Sequence, residues 1–273
     1  MRKINSIIFI SILIGFFLIL SQKSKKNQTE VFIEPAEPSP TPFTQYQVPK
    51  IPNKKETTII FVGDSMTLAL GPHPSYFSGL MNDKFDKIFA IDNYSEGSVS
   101  VLSLDRLLKE KTNIGELKEN PIINRKFDII IIESFGHNPL SQFPLDEGLA
   151  RQEEVLDAAM IELINTRPES VIIFLATIAP DEVNYANTSV GLSTESSKEF
   201  AIERKKYIEN FIAYAREHSI PLVNIYEQSF TADGRVKPEL INPDDNIHPS
   251  QLGIELIQTA VFNHIVENNY LTE

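Results

Sequence analysis

The chain of 273 residues is 42% hydrophobic, with 11 Gly, 17 Pro and no Cys, a composition that can bury one sizeable core and excludes a fibrous or wholly disordered polypeptide. Its formal charge of −12 is uneven: residues 1–56 hold 8 Lys/Arg against 4 Asp/Glu, leaving 17 against 33 for residues 57–273. That acidic portion repels nucleic acid and anionic membrane surfaces, and the lack of cysteine excludes disulfides, thiolate metal sites, a cysteine nucleophile and a lipidated cysteine.

Residues 4–20, INSIIFISILIGFFLIL, follow Arg2 and Lys3 and precede SQKSKK. As a helix they would reach roughly 25 Å, a little short of a hydrocarbon core of about 30 Å. Residues 1–26 are expected to form a transmembrane anchor or signal segment. Only Ile19-x-Ser21 offers a weak cleavage site, which favours a retained anchor over secretion by removal of residues 1–21. Positive charge on both flanks leaves orientation open, but the portion after residue 56 is expected outside the cytoplasmic membrane. Six of the 17 prolines fall between Glu34 and Pro52, so residues 27–56 read as an extended linker.

From Thr57 the pattern becomes alternating α/β. Apolar runs at 57–62 (TTIIFV), 87–91 (KIFAI), 127–133 (FDIIIIE), 171–177 (VIIFLAT) and 221–226 (PLVNIY) suit strands covered on both faces. Helical spacing is visible at Leu156, Ala159, Met160 and Leu163. It recurs at Phe200, Tyr207, Ile208, Phe211, Ile212 and Ala215, and at Ile254, Ile257, Val261 and Ile265. The expected domain, residues 57–273, is an α/β/α three-layer sandwich around a mostly parallel five-stranded sheet.

Such sheets place ligands at the carboxyl ends of their strands. The first run ends in Gly63-Asp64-Ser65, the second is followed by Gly97, the third by Gly136-His137-Asn138, and Asp245 and His248 stand before the last helix. These four segments, in this order, resemble the four sequence blocks of the SGNH/GDSL hydrolases. The resemblance implies a flavodoxin-like fold and a serine hydrolase acting on esters, or a related acyltransferase. It also implies an oxyanion hole made of the N–H groups of Ser65 and Gly97 and the side chain of Asn138. One departure is Pro139, where the family often has aspartate.

The residues support those roles chemically. A serine hydroxyl needs a neutral imidazole to take its proton, and His248 is the candidate base. Asp245, three residues earlier, can hold the other ring nitrogen; Asp244 competes for that role, but the spacing favours Asp245. Pro249 is a good first helical residue, which would put His248 at a helix N-terminus. Each residue also has a plain structural reading: Asp64 and Ser65 as helix caps, Gly97 as a turn glycine, Asn138-Pro139 as a chain reversal, and Asp245 as a cap. His137 reads as a solvated loop histidine, or as one facing the substrate.

A G-x-S-x-G elbow, glycine-rich nucleotide loops and metal-ligand clusters are absent from the sequence, so no cofactor and no metal is expected. The expected activity is removal of small acyl groups, acetyl above all, from a small molecule or surface polysaccharide. Transfer of the acyl group to a sugar hydroxyl, or a silent binding module, are the alternatives. The long connection 177–197 is expected to form a polar rim or lid.

Overall fold

The computed structural model describes residues 43–271. The expected anchor, and the linker as far as residue 42, lie outside the described residues. Among the described residues no helix is long and apolar enough to cross a membrane.

Five strands form one wholly parallel sheet: β1 (Glu56–Val62), β2 (Ile88–Asn93), β5 (Ile129–Glu133), β6 (Val171–Ala176) and β7 (Leu222–Asn224), in the order β2-β1-β5-β6-β7. All five apolar runs become strands. The short antiparallel hairpin β3 (Thr112–Ile114) and β4 (Leu117–Glu119) stands apart from that sheet. With the hairpin set aside, the order is that of a flavodoxin-like doubly wound fold.

Side chains leave the central strands alternately to either face. Ile59, Phe61, Ile129, Ile131, Val171 and Ile173 enter one core, with Phe77 and Met81 of α2 (Ser75–Lys84) and Ile257, Val261 and Ile265 of α7 (Gln251–Glu267). Ile60, Val62, Ile130, Ile132, Ile172 and Phe174 enter the other. There they meet Leu104 and Leu107 of α3 (Leu104–Lys109), Leu156 and Met160 of α4 (Leu145–Thr166), and Tyr207 and Phe211 of α5 (Thr194–Glu217). Two short helices, α1 (Ser65–Leu68) and α6 (Ile225–Gln228), follow β1 and β7 directly. Phe200, on the expected apolar stripe of α5, is instead exposed and lies under the guanidinium of Arg204.

The end of the segment read as linker is bound to the domain. Phe43 and Tyr46 are buried in the second core. The Tyr46 hydroxyl donates to Ser170 O at 3.1 Å and accepts the N–H of Ile172 at 2.9 Å. The Tyr46 N–H donates to His218 O at 2.8 Å. A tyrosine can cover apolar surface while satisfying the backbone where β6 begins, a tertiary use that proline-rich composition does not advertise.

Candidate active site

β1 lies between β2 and β5, so the chain departs to opposite sides from its carboxyl end, the position where doubly wound sheets bind ligands. Val62 pairs with Ile132, so Gly63, the first residue past β1, stands beside Glu133, the last residue of β5. A Cβ on Gly63 would stand 2.6 Å from Cβ of Glu133, so only glycine fits there.

The turn then makes Asp64 the N-cap of α1, its Oδ1 accepting the N–H of Met66 at 2.8 Å. Ser65 does not cap. It is the first helical residue, half-buried, and its hydroxyl makes no hydrogen bond among the described residues. Asp64 is fully buried, and its Oδ2 accepts Nδ2 of Asn138 at 2.8 Å. That bond holds the carboxamide beside the serine turn with Pro139 in place, and it leaves one of the two amide hydrogens unused. Gly97 is drawn to the same turn because Glu96 donates its N–H to Gly63 O at 3.1 Å. The side chain of Asn93 reinforces this by donating to Thr67 O and Gly71 O, at 2.8 and 2.9 Å. A Cβ at Gly97 would meet nothing closer than Leu68, at 3.7 Å, an ordinary contact.

His248 Nδ1 is 2.8 Å from Oδ2 of Asp245. Oδ1 of Asp245 accepts the N–H groups of Ile247 and His248, at 2.8 and 3.0 Å. Burial pushes the Asp245 carboxyl up, but the imidazole and the two N–H groups outweigh it and hold the group below its ordinary value. The carboxylate fixes Nδ1 as the protonated nitrogen and leaves Nε2 as an acceptor without a hydrogen bond. Asp244 is exposed, and its backbone N–H donates to Oδ1 of Asn242 at 3.0 Å. The rim ties the His248 loop to the pole that carries Asn138 and Ser65: the Tyr185 hydroxyl lies 3.4 Å from His137, and its neighbour Ala186 bonds Asn246 O.

One expectation about His248 fails. α7 starts at Gln251, capped by Ser250, whose hydroxyl accepts the N–H of Gly253 at 3.1 Å. Pro249 precedes the cap and pairs with Ile241 in an isolated bridge. Dipole effects fade beyond the first turn, so Asp245 and not the helix governs the imidazole.

His137 is not solvated. It is buried, its Nε2 lies 2.9 Å from Ile178 O, and the hydroxyl of Tyr185 approaches Nδ1 at 3.4 Å. Burial lowers its pKa to about 3, and the charges of Arg204 and His248 push the same way. Arg204 sits over the Tyr185 ring and donates Nε–H to His137 O at 3.1 Å. The rim after β6 thereby braces the Asn138 loop on one side. On the other it grips the His248 loop: Ala186 donates its N–H to Asn246 O at 3.2 Å, and Ser189 its hydroxyl to Asp245 O at 3.0 Å. Asn246 returns two bonds, to Asn187 and Thr188, at 2.6 and 3.0 Å.

Each loop that carries Gly97, Asn138 and His248 has one non-glycine residue in left-handed backbone, Ser98 (φ 62°), Phe135 (φ 54°) and Asn246 (φ 56°), and the rim adds Ala186 (φ 56°). Each costs about 1–2 kcal/mol, which the surrounding bonds must offset. Among the described residues no group of three or more His, Asp or Glu is arranged to hold a metal ion.

No protein-family model matches the sequence, and no curated protein matches it. Solved structures do match. A lipase/acylhydrolase from Enterococcus faecalis is 17% identical with a TM-score of 0.54, covering 78% of this chain and 96% of that one. A GDSL-like lipase from Bacteroides thetaiotaomicron is 15% identical at 0.55, covering 80% and 91%. An acetyl xylan esterase, AlAXEase, is 13% identical at 0.55, covering 76% and 99%. The chain shares its α/β fold with these three proteins. At such identities the likeness is one of architecture, and the chemistry has to be argued from the side chains.

Among the residues that build this site, sequence reasoning passed over Glu133, Tyr185, Arg204 and Asn246. Only Glu133 left a mark in the sequence: a charged residue closing the otherwise apolar strand IIIIE.

Proposed function

We propose that the chain is a serine ester hydrolase of the SGNH type, with Ser65 as nucleophile, His248 as general base and Asp245 as its partner. The observation that carries this reading is the Asp245–His248 pair, 2.8 Å apart with Nε2 uncommitted, at the pole where Asp64 caps the serine turn. In the proposed reaction Ser65 attacks the ester carbonyl as Nε2 takes its proton. The negative charge on the tetrahedral intermediate is met by the second amide hydrogen of Asn138 and the N–H groups of Gly97 and Ser65. Collapse expels the alcohol, protonated by His248, and leaves an acyl-enzyme on Ser65. Water, deprotonated by His248, then releases the acid and restores the serine.

For the substrate we assign small acyl esters, acetyl above all, carried on a sugar or polysaccharide. Support comes from the polar rim of residues 177–193 and from an acetyl xylan esterase among the proteins sharing this fold. We also place the domain outside the cytoplasmic membrane, tethered through residues 1–26.

The test is hydrolysis of p-nitrophenyl acetate by the purified protein. Ser65→Ala should remove the activity above background and leave the fold intact by circular dichroism. Activity that survives Ser65→Ala excludes the nucleophile. Acylated glycan exceeding free acid, when a sugar acceptor is supplied, identifies a transferase using the same acyl-enzyme. Failure of the wild type on a panel of short esters returns the chain to the class of binding modules.

A further inference from the structure

Glu133 is fully buried at the floor of the serine turn. Its Oε1 lies 2.6 Å from the Ser134 hydroxyl, and its Oε2 accepts the N–H of Asp64 at 3.2 Å. The acidic group beside it is the carboxyl of Asp64, also fully buried, on the residue whose own N–H Glu133 accepts. Two fully buried neighbouring carboxyls cannot both keep a charge without a cation, and among the described residues no lysine or arginine is seen in an ion pair with either, so one of them holds a proton.

The proton belongs on Glu133. Asp64 takes two fixed N–H donors at 2.8 Å, from Met66 and from Asn138 Nδ2, whereas Glu133 has one N–H at 3.2 Å and a serine hydroxyl that can rotate to accept. Glu133 has no cation near it. Burial raises both groups, and the charge on Asp64 drives Glu133 well above the ordinary carboxylate range. The other titratable groups facing the pair are His248, from the loop before α7, and Tyr185, from the rim.

We propose that Glu133 is a positioning residue that keeps its proton and donates it to the Asp64 carboxylate, fixing the turn that presents Ser65 and the carboxamide of Asn138. The positioning role rests on Ser65 being the nucleophile; the shared proton does not.

The test uses the full chain with Glu133→Gln, which retains a neutral donor and acceptor, and Glu133→Leu, which retains neither. An acid kept protonated in the fold costs stability as pH rises above its unfolded value. Relative to Glu133→Gln, the wild-type folding constant should therefore fall about tenfold per pH unit above about 4.3, until the folded group ionises. Denaturant titrations at about pH 5, 7 and 9 read this, and the same series in a Ser65→Ala background reads it without catalysis. On p-nitrophenyl acetate, Glu133→Gln should hold kcat within about threefold, whereas Glu133→Leu should lose on the order of tenfold to a hundredfold in kcat with KM little changed. A stability gap that is constant with pH overturns the shared proton. Equal impairment of the two variants overturns the positioning role. If neither ester nor a fluorophosphonate probe reacts at Ser65 in the wild type, the nucleophile reading and the positioning role fall together, while the stability series still decides where the proton resides.

Discussion

Replacing Asn138 by alanine removes two interactions that different assays can tell apart. Its amide reaches Oδ2 of Asp64 at 2.8 Å, and its second hydrogen is the proposed oxyanion donor. Loss of an oxyanion donor costs about 3–4 kcal/mol of transition-state stabilisation, or roughly 10² to 10³ in kcat. Loss of the bond to Asp64 leaves a buried carboxylate oxygen without a donor, at about 1–3 kcal/mol of stability. In a domain of this size each kcal/mol corresponds to roughly 2–4 °C in Tm. Steady-state kinetics on p-nitrophenyl acetate should therefore show a large fall in kcat with KM nearly unchanged, and thermal denaturation a drop of several degrees. A variant that loses those degrees but keeps kcat within about threefold would refute the oxyanion role and leave Asn138 as a loop tie only.

His137, held neutral by burial with a pKa of about 3, makes the protein sensitive to acid. An unfolded histidine takes up its proton near pH 6.5, so this group's contribution is intact above that value and declines as pH falls towards about 3. Wild-type stability should fall by up to about 1.4 kcal/mol per pH unit in that window, and His137→Gln should show a shallower slope in urea titrations. Ile131, fully buried between the sheet and the layer formed by α2 and α7, tests the core. Ile131→Ala should cost about 2–5 kcal/mol, seen as a lower denaturant midpoint at an unchanged m-value, with kcat of the folded fraction unaffected.

The layers of this fold were open to view in the sequence because parallel strands covered on both faces must be apolar throughout. IIII at 129–132 and VIIFLA at 171–176 have no other easy home. The same rule is silent about strands of three residues, which is why the hairpin at 112–119 left no trace. At the site, Asp245 and His248 are three residues apart and their pairing is a local matter of one turn, legible from spacing. Pro249 misled because a helix begins where a side chain satisfies its first N–H groups, and Ser250 does that. His137 misled because its burial comes from Ile178, Tyr185 and Arg204, 41 to 67 residues further along the chain. Glu133 was hidden by its setting: a glutamate ending a strand normally faces water, and only the adjacency of β1 and β5 turns it under Ser65.

The docking of Phe43 and Tyr46 changes where the folded unit begins. A fragment started at Glu56 would keep all five strands yet leave the carbonyl of Ser170 and the N–H of Ile172 without the phenol that bridges them. It would also uncover apolar surface where Phe43 rests against the His218 ring. The stretch ahead of the first strand is thus a built-in clasp, and the smallest autonomous version of this protein has to carry it.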